Sequence, residues 1–401
     1  IRDRYIDLNN IENGDPIVYI DTQLVDYRTG YWTSPEPEPE DSRAGFIDKP
    51  WMAVDVPRGG AQTCSISVEQ LDRDGNPHTV TQQFPGGKVY VAYTLVKAIG
   101  EDLHSSVMFS YSDDCGETWS NPKKLETAGR IYQGATIAID PMTGTVYVAW
   151  RQFEQFDPVL QITHPDAIYI ARSDDGGKKF KKAVQVAAIT AFDQPTLPKG
   201  AVTDFRGFRF NAYPTMTIDG SGRLYVAWSE YGLGAAEDAR IVVSTSGDLG
   251  QSWSSPVMVD DAVYEEPETE GITPVRCRQV LPSLSMGAGN LMVAYYDFRD
   301  DILEEEIPLL SFIGDLISSP EVEFQLSVDV RVARAEPGPN PVFTTYPDYP
   351  SSRVSRYLWV SDVEDVAQRE QLQHNKPNLP LFDQGSKPFM GDYIDLITSP
   401  P

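Results

Sequence analysis

The sequence contains few of the residues that build metal sites and disulfide frameworks. It has three cysteines in 401 residues, too few for a scaffold held by disulfides, and an odd number leaves at least one thiol unpaired within the chain. Either Cys64 and Cys115 form a local bridge and Cys277 stays single, or all three are buried or free thiols. The four histidines are scattered, so no Cys/His spacing indicates a zinc site. They are His78, His104, His164 and His374.

Long apolar runs are also missing from the sequence. No stretch approaches the ~18–20 consecutive apolar residues of a membrane-spanning helix. The first residues, Ile1 to Tyr5, do not have the pattern of a signal peptide and include no initiator Met. We interpret the chain as a segment of a longer protein that continues past Pro401, with any signal peptide already removed.

Basic residues are outnumbered by acidic ones. The chain has 33 Lys and Arg against 59 Asp and Glu, a formal net charge of −26. Such a charge argues against partners that are themselves polyanions, namely nucleic acid and an anionic membrane surface. It fits an extracellular or cell-surface protein.

An eight-residue pattern, Ser-x-Asp-x-Gly-x-(Thr/Lys/Ser)-(Trp/Phe), occurs three times. Each copy follows an alternating apolar run and precedes a second short run, which is typical of a β-hairpin. In such a turn the Asp accepts backbone N–H groups, the Gly takes a positive φ and the aromatic ring is buried between sheets. The positions that carry these structural roles are Ser112, Asp114, Gly116, Trp119, Ser173, Asp175, Gly177, Phe180, Ser246, Asp248, Gly250 and Trp253.

Each copy belongs to a repeat that reads as four strands, which predicts a propeller blade. The predicted blades cover about 46–126, 131–187, 209–260 and 278–360, and a further one opens at 388. Residues 1–45 are predicted as an N-terminal extension and linker. A capping Ser and helical spacing predict one short helix over 361–373.

The octapeptide is the Asp-box, and the chain resembles the sialidase-like Asp-box (BNR-repeat) β-propellers over residues 46–396. Three further phrases, Asp-Lys-Pro-Trp, Tyr-Tyr-Asp-Phe-Arg-Asp and Gly-Asp-Tyr-Ile, are similar to an uncharacterised bacterial and archaeal subgroup of that family. The resemblance implies an all-β propeller of six four-stranded antiparallel blades. Since only four and the start of a fifth are visible, either the protein continues or the strand-like stretch 16–21 closes the ring with a partner's help.

In a propeller the ligand face is built from the loops before each first strand and after each second strand. These loops contain the polar residues Lys49, Gln133, Asn211 and Gln279. They also contain the arginines that would bind a ligand carboxylate by bidentate hydrogen bonds. The candidate ligand-binding residues are Arg151, Arg209, Arg276, Arg278 and Arg299.

Glycoside cleavage needs an acid/base carboxyl group and a nucleophile, which in the resembled sialidases is a Tyr activated by a Glu. The candidate catalytic residues are Asp48, Glu230, Tyr231, Asp297 and Tyr393. The family's Arg-Ile-Pro motif is replaced here by residues 46–51, which contain Lys49 and no Arg. A lysine cannot reproduce the planar fork of arginine. Three interpretations of this ring of charges stay open: internal pairing that holds loops, ligand binding, and catalysis.

Acidic clusters offer the oxygen ligands that Ca²⁺ takes, although no EF-hand spacing is present. The candidate metal ligands are Asp297, Asp300 and Asp301; in a chain this acidic, solvated loops are the other interpretation. A basic cluster, Lys178 to Lys182, is interpreted as a blade edge that its charge protects from pairing.

The sequence therefore predicts a propeller that acts as a binding or structural module and recognises glycan or protein partners. One alternative is a glycoside hydrolase of the exo-sialidase kind, acting on acidic sugars. Another is a subunit of a surface assembly or filament.

Overall fold

The structure is a computed structural model of the chain, which forms two compact units. The first unit comprises Ile1–Phe46 and Lys97–Leu103, and the second comprises Ile47–Val96 and His104–Pro401. The residues that the structure describes are 5–6, 18–20, 23–26, 31–33, 45–55, 63–71, 75–99, 102–126, 129–157, 160–193, 211–233, 238–261, 278–299, 329–344, 350–355, 357–359, 370–372 and 394–396.

The first unit contains a four-stranded antiparallel sheet whose strands are neighbours in chain order. They are β1 (Tyr5–Ile6), β2 (Val18–Ile20), β3 (Gln23–Asp26) and β4 (Tyr31–Thr33). Strand β2 lies in the stretch 16–21 that the sequence offers as a closing strand. Both of its edges are paired within this sheet, with β1 and with β3. In the described residues it is therefore an inner strand of the first unit's own sheet.

Four further antiparallel sheets of four strands each follow along the described chain, and they are blades 1 to 4. Blade 1 consists of β5 (Gly45–Val54), β8 (Val89–Ile99), β9 (Asp102–Ser112) and β10 (Lys123–Lys124). Blade 2 consists of β11 (Tyr132–Ile139), β12 (Val146–Gln152), β15 (Ala167–Ser173) and β16 (Val184–Ala188). Blade 3 consists of β17 (Thr215–Ile218), β18 (Leu224–Leu233), β19 (Asp238–Ser246) and β20 (Val257–Met258). Blade 4 consists of β21 (Gln279–Gly287), β22 (Asn290–Asp297), β23 (Asp329–Ala335) and β24 (Ser351–Arg353).

Three two-stranded hairpins accompany the blades. The first pairs β6 (Thr63–Leu71) with β7 (Pro77–Pro85), between the first two strands of blade 1. The second pairs β13 (Gln155–Asp157) with β14 (Ile162–His164) in blade 2. The third pairs β25 (Tyr357–Trp359) with β26 (Glu370–Leu372). The helix predicted over 361–373 is therefore wrong at 370–372, where backbone pairing with β25 prevails over helical spacing; residues 361–369 and 373 lie outside the described residues.

Every element in the described part of the chain is a strand. No helix there is long and apolar enough to cross a membrane.

The second strand of blade 2 is buried along its whole length because both of its faces are covered. Val146, Val148 and Trp150 pack in a cluster shared with blade 1. Tyr147 and Ala149, which point to the opposite face, pack in a cluster shared with blade 3. Since side chains alternate along a strand, one short apolar run supplies both blade interfaces.

Blade 3 repeats this arrangement one step along the chain. Leu224 and Val226 of β18 pack against blade 2, while Tyr225 and Ala227 pack against blade 4. Each fully buried aliphatic side chain of this size stabilises the folded state by roughly 1.5–3 kcal/mol. The described blades are therefore held mainly by face-to-face apolar packing.

The first strands of all four blades converge on a cavity of about 20 Å³. Its lining includes Trp51 of β5, Ala135 of β11, Thr215 of β17 and Pro282 of β21. Ile394 also lines it, within the stretch where a fifth blade is predicted to open. Blades that pack face to face around their first strands form a β-propeller. The prediction of an all-β propeller of four-stranded antiparallel blades is confirmed.

The three octapeptide turns (112–119, 173–180 and 246–253) share one hydrogen-bond pattern. In the first, the Gly116 N–H donates to Ser112 Oγ at 2.7 Å, and the Thr118 N–H donates to Asp114 Oδ1 at 2.8 Å. The Ser112 hydroxyl donates to the same carboxylate at 2.6 Å. The other two turns repeat the Gly-to-Ser bond, at 2.9 Å from Gly177 and 3.0 Å from Gly250. These carboxylates are used inside their own turns.

The second octapeptide turn packs against the preceding blade. The Phe180 ring meets the Phe109 ring of blade 1 edge-on, with centroids 4.8 Å apart. Lys123 Nζ, from blade 1, donates to the carbonyl oxygens of Gly177 at 3.0 Å and Lys178 at 2.8 Å. Beyond closing a hairpin, this turn joins neighbouring blades.

Cys115, within the first octapeptide turn, is disulfide-bonded. The side chains of Cys64 and Cys277 lie outside the described residues. The pairing of Cys115 with Cys64 therefore stays a prediction, while the alternative of three thiols is wrong.

A matched pair of glycine substitutions tests the contact between the second turn and blade 1. Gly177 has φ +82°, and a Cβ there would lie 2.5 Å from Phe109 Cε1. We expect Gly177→Ala to lower the free energy of unfolding by about 2–4 kcal/mol, from backbone strain and overpacking together. Gly75 has φ +84° and nothing within 4 Å of a Cβ, so Gly75→Ala should cost only the strain, about 1–2 kcal/mol. Equal losses of unfolding free energy in the two variants, measured by urea denaturation, would contradict this contact.

Acid titration tests the third octapeptide turn. The side-chain and backbone hydrogen bonds of Ser252 lower the pKa of Asp248 to about 2, against an ordinary value of 3.8. Because the folded-state pKa is depressed, this contribution to stability is present above pH ~4 and is lost as the pH falls towards 2. We expect the difference in Tm between the wild type and Asp248→Asn to shrink over that range. A difference that is independent of pH would contradict the assignment.

Candidate ligand-binding face

Three of the four described first strands share an unusual backbone conformation near their starts. Lys49 in β5 and Leu281 in β21 have φ values of +53° and +52°, and Gly134 in β11 has +71°. Non-glycine residues adopt this left-handed region at a cost of roughly 1–3 kcal/mol, and such strain is typical of ligand-binding and active sites. Pairing shifts register beside Gly134 and Leu281. The resulting bulges place polar side chains at the face where the first strands begin.

A series of hydrogen bonds joins the first three blades at this face. The Gln133 side-chain amide donates to Asp48 Oδ2. Tyr213 donates its hydroxyl proton to Gln133 Oε1 at 2.7 Å and accepts from Asn211 Nδ2 at 3.0 Å. Asp48, Gln133 and Asn211 are partly exposed, whereas Tyr213 is buried. We call these four residues the polar row.

The Tyr213 ring of the polar row packs against Lys49, Phe153 and Gly134. Lys49 is 3% exposed, and its Nζ lies 5.4 Å from the centroid of the Tyr213 ring. The Phe153 ring meets that of Tyr213 edge-on, with centroids 6.5 Å apart. A Cβ on Gly134 would lie 2.2 Å from the Tyr213 ring, so only glycine lets the ring lie this close.

Arg151, predicted as a ligand-binding residue, is 1% exposed and bound to carboxylates of the chain itself. Its two terminal nitrogens donate to both oxygens of Asp193 at 2.8 and 2.7 Å, and Nε donates to Asp166 at 2.9 Å. Burial lowers the pKa of Arg151, but these two carboxylates outweigh burial and raise it. Asp193 also accepts the Ala212 N–H at 2.8 Å, just before blade 3 begins. Arg151 thus joins blade 2 to the start of blade 3.

Arg299 is likewise engaged inside the protein. It donates to Asp297 Oδ1 through Nε at 3.0 Å and to Asp260 Oδ2 at 2.7 Å. Asp260, which is fully buried, also accepts the hydroxyl of Tyr295 at 2.9 Å and that of Ser351. This cluster joins the end of blade 3 to blade 4. For Arg151, Arg299 and Asp297, the geometry favours the interpretation of internal pairing.

Glu230 and Tyr231, which the sequence places in the loop after the second strand of blade 3, lie within β18 and pair with Arg240 and Ala239 of β19. Both contact the segment after blade 2. The Glu230 carboxylate accepts the indole N–H of Trp228 at 2.5 Å and the Thr190 N–H at 2.7 Å. Burial raises the pKa of Glu230, and these two hydrogen bonds oppose the rise. Tyr231 stacks on Phe192, with centroids 5.8 Å apart. In the described geometry no hydrogen bond links Glu230 to Tyr231.

Five other predicted residues, Arg209, Arg276, Asp300, Asp301 and Tyr393, lie outside the described residues. Arg278 is described, and its carbonyl oxygen accepts the Phe298 N–H at 3.0 Å. Within the described ranges, no group of three or more His, Cys, Asp or Glu side chains could hold a metal ion. Asp297 uses both oxygens on Arg299.

Sequence reasoning named Asp48, Gln133 and Asn211 but missed Tyr213, which connects them. A usable signal was present: Tyr213 precedes Pro214, as Lys49 precedes Pro50 and Leu281 precedes Pro282. Three first strands thus begin with the same residue-proline step. Asp193, which binds Arg151, and Asp260, which binds Arg299, have no such signal because they lie 42 and 39 positions away in the chain.

No protein-family model and no curated protein matches the sequence. Among solved structures, a protein of unknown function from Dyadobacter fermentans is 14% identical, with a TM-score of 0.37, and covers 78% of this chain and 76% of its own. The Hadza microbial sialidase Hz136 is 12% identical, with a TM-score of 0.35 and coverage of 65% and 44%. A GH93 α-L-arabinofuranosidase of Fusarium graminearum is 13% identical, with a TM-score of 0.36 and coverage of 76% and 73%. Likenesses this distant carry no argument about activity.

Substitution of Arg151 tests its role between blades. Replacing it with methionine leaves the carboxylates of Asp166 and Asp193 without their cation, and we expect a loss of about 3 kcal/mol of unfolding free energy. Arg334 is exposed, so Arg334→Met should change stability by less than about 0.5 kcal/mol. Urea denaturation of both variants is the measurement. A stable Arg151→Met protein would show that the arginine is not needed to hold the blades.

Proposed function

We propose that this propeller is an extracellular module that binds a glycan at the face where its first strands begin. The observation that carries the proposal is the polar row, in which Asp48, Gln133 and Asn211 come from three blades and are partly exposed. A carboxylate and two side-chain amides offer both donors and acceptors. Sugar hydroxyl groups are donors and acceptors too, so this set matches them.

The ion pairs of Arg151 and Arg299 support the same proposal. Arg151 and Arg299 are bound by two carboxylates each. Releasing either arginine would leave carboxylates that are at most 19% exposed without their cation. Binding of sugar hydroxyl groups by the polar row is therefore favoured over binding of a sugar carboxylate by these two arginines.

An extracellular location is supported by the disulfide of Cys115. Disulfides form and persist mainly in secreted and surface proteins. The acidic composition fits the same location.

A second candidate function is glycoside hydrolysis with Glu230 as the proton donor. The observation that favours it is the raised pKa of this carboxyl group, which burial causes. A general acid needs a pKa raised towards the working pH. The carboxylate's two N–H donors favour a structural role instead.

A glycan array tests the proposal with matched variants. We expect the wild type to bind a defined set of glycans. Gln133→Ala and Asn211→Ala should each weaken binding by about tenfold, since each removes roughly one hydrogen bond to the ligand. Gln70→Ala and Asn121→Ala remove the same groups from exposed positions elsewhere and should leave binding unchanged.

The same preparations separate the outcomes. Loss of binding in the controls as well, or no binding by the folded wild type, would contradict the proposal. Hydrolysis of a bound glycan that stops in Glu230→Gln would favour the second function.

A further inference from the structure

The outer rim between blades 1 and 2 contains a cleft of about 400 Å³ that the polar row does not involve. Its blade 1 wall includes Lys123, Lys124 and Leu125, and its blade 2 wall includes Tyr169, Phe180 and Lys182. We call it the lysine cleft. Its volume lies in the range of ~300–1,000 Å³ that is usual for small-molecule sites.

Half of the chain's lysines lie at this cleft or directly beside it. They are Lys123, Lys124, Lys178, Lys179, Lys181 and Lys182. The acidic groups near them include Glu126 in the lining, Asp174, which pairs with Lys181 at 2.6 Å, Asp175, which is bound within its own turn, and Asp113, which pairs with Lys88 at 2.6 Å. Lysines therefore outnumber carboxylates locally in a chain whose net charge is −26.

Because salt screens distant charges, the local excess of lysines determines the electrostatic potential in the cleft. At physiological ionic strength the Debye length is about 8 Å, so exposed carboxylates further away contribute little to the potential inside the cleft. The five lysines other than Lys123 are exposed. An anion in the cleft is attracted by them, whereas a long polyanion running over the rest of the surface is repelled.

The walls of the cleft are held at a fixed separation. Lys123 is the lysine that does this, because its Nζ bonds the backbone of the second octapeptide turn and lies 5.0 Å from the centroid of the Tyr111 ring. Phe180 is anchored edge-on against Phe109. The remaining lysines are thus presented around a pre-formed aromatic and aliphatic floor.

We propose that the lysine cleft binds a short anionic oligosaccharide, with Tyr169 and Phe180 against the sugar rings and Lys124 and Lys182 on the acidic groups. Flat aromatic surfaces suit the apolar faces of sugar rings. Lysine ammonium groups are mobile point charges, which suits acidic groups spaced along a chain. The site is separate from the polar row and does not depend on the function proposed for it.

An acidic peptide is the competing ligand, and it would bind by charge alone or by adding a strand to β10. The described β10 is only two residues long, which gives little edge for strand addition. The aromatic floor favours the sugar.

Calorimetry with defined probes tests this inference. The probes are tetragalacturonate, a neutral maltotetraose and a hexaglutamate peptide, each titrated into the wild type at low and physiological salt. We expect tetragalacturonate to bind, more weakly at higher salt, and the other two to bind at least about tenfold more weakly. Equal binding of the peptide, or no binding of tetragalacturonate, would overturn the proposal.

Two double variants locate the site. Lys124→Gln with Lys182→Gln should weaken tetragalacturonate binding by about tenfold, since two charge contacts are lost. Lys97→Gln with Arg334→Gln removes the same charge from exposed positions elsewhere and should change it by less than about twofold. Equal effects of the two would show that only net charge matters and would overturn the assignment. Gln133→Ala should leave this binding unchanged, which separates the cleft from the polar row.

Discussion

The structure depends on one constraint, namely that each blade must be covered on both faces. A second strand such as β12 has apolar side chains on alternate sides, and each side finds a neighbouring blade. Because no described blade between two others has a free apolar face, the sheets pack in series around their first strands. The octapeptide turns reinforce this packing at the rim, where the Phe180 ring and the Lys123 ammonium group hold blade 2 to blade 1.

This packing determines which polar groups remain for a ligand. Arg151 lies within β12 and Arg299 just after β22, and each bridges a junction between blades through two carboxylates. Water is largely excluded there, so an unpaired guanidinium or carboxylate would cost several kcal/mol. The groups that stay partly exposed are those of the polar row at the inner face and the lysines at the rim.

Period-two alternation and turn chemistry are local, so the sequence predicted the blades, the octapeptide turns and the all-β class. The loop position predicted for Glu230 and Tyr231 was wrong, because backbone pairing with β19 extends β18 to Leu233. The pairing of Arg151 with Asp193 could not be predicted, because 42 positions separate them and nothing local marks the partner. The helix prediction was wrong at 370–372 for the same reason: pairing of β26 depends on β25, a strand outside the predicted helix. Local patterns fix the blades, whereas the partners of charged groups depend on how the blades meet.

Hydrogen–deuterium exchange with and without the glycan that gives the strongest array signal tests the central claim most directly. The account predicts slower exchange at 47–51, 131–136 and 211–215, where the polar row lies. It also predicts unchanged exchange in the octapeptide turns 112–119 and 246–253, whose amides already bond within the turn. Protection in the turns, with the polar row unaffected, would contradict the account and place the ligand on the scaffold.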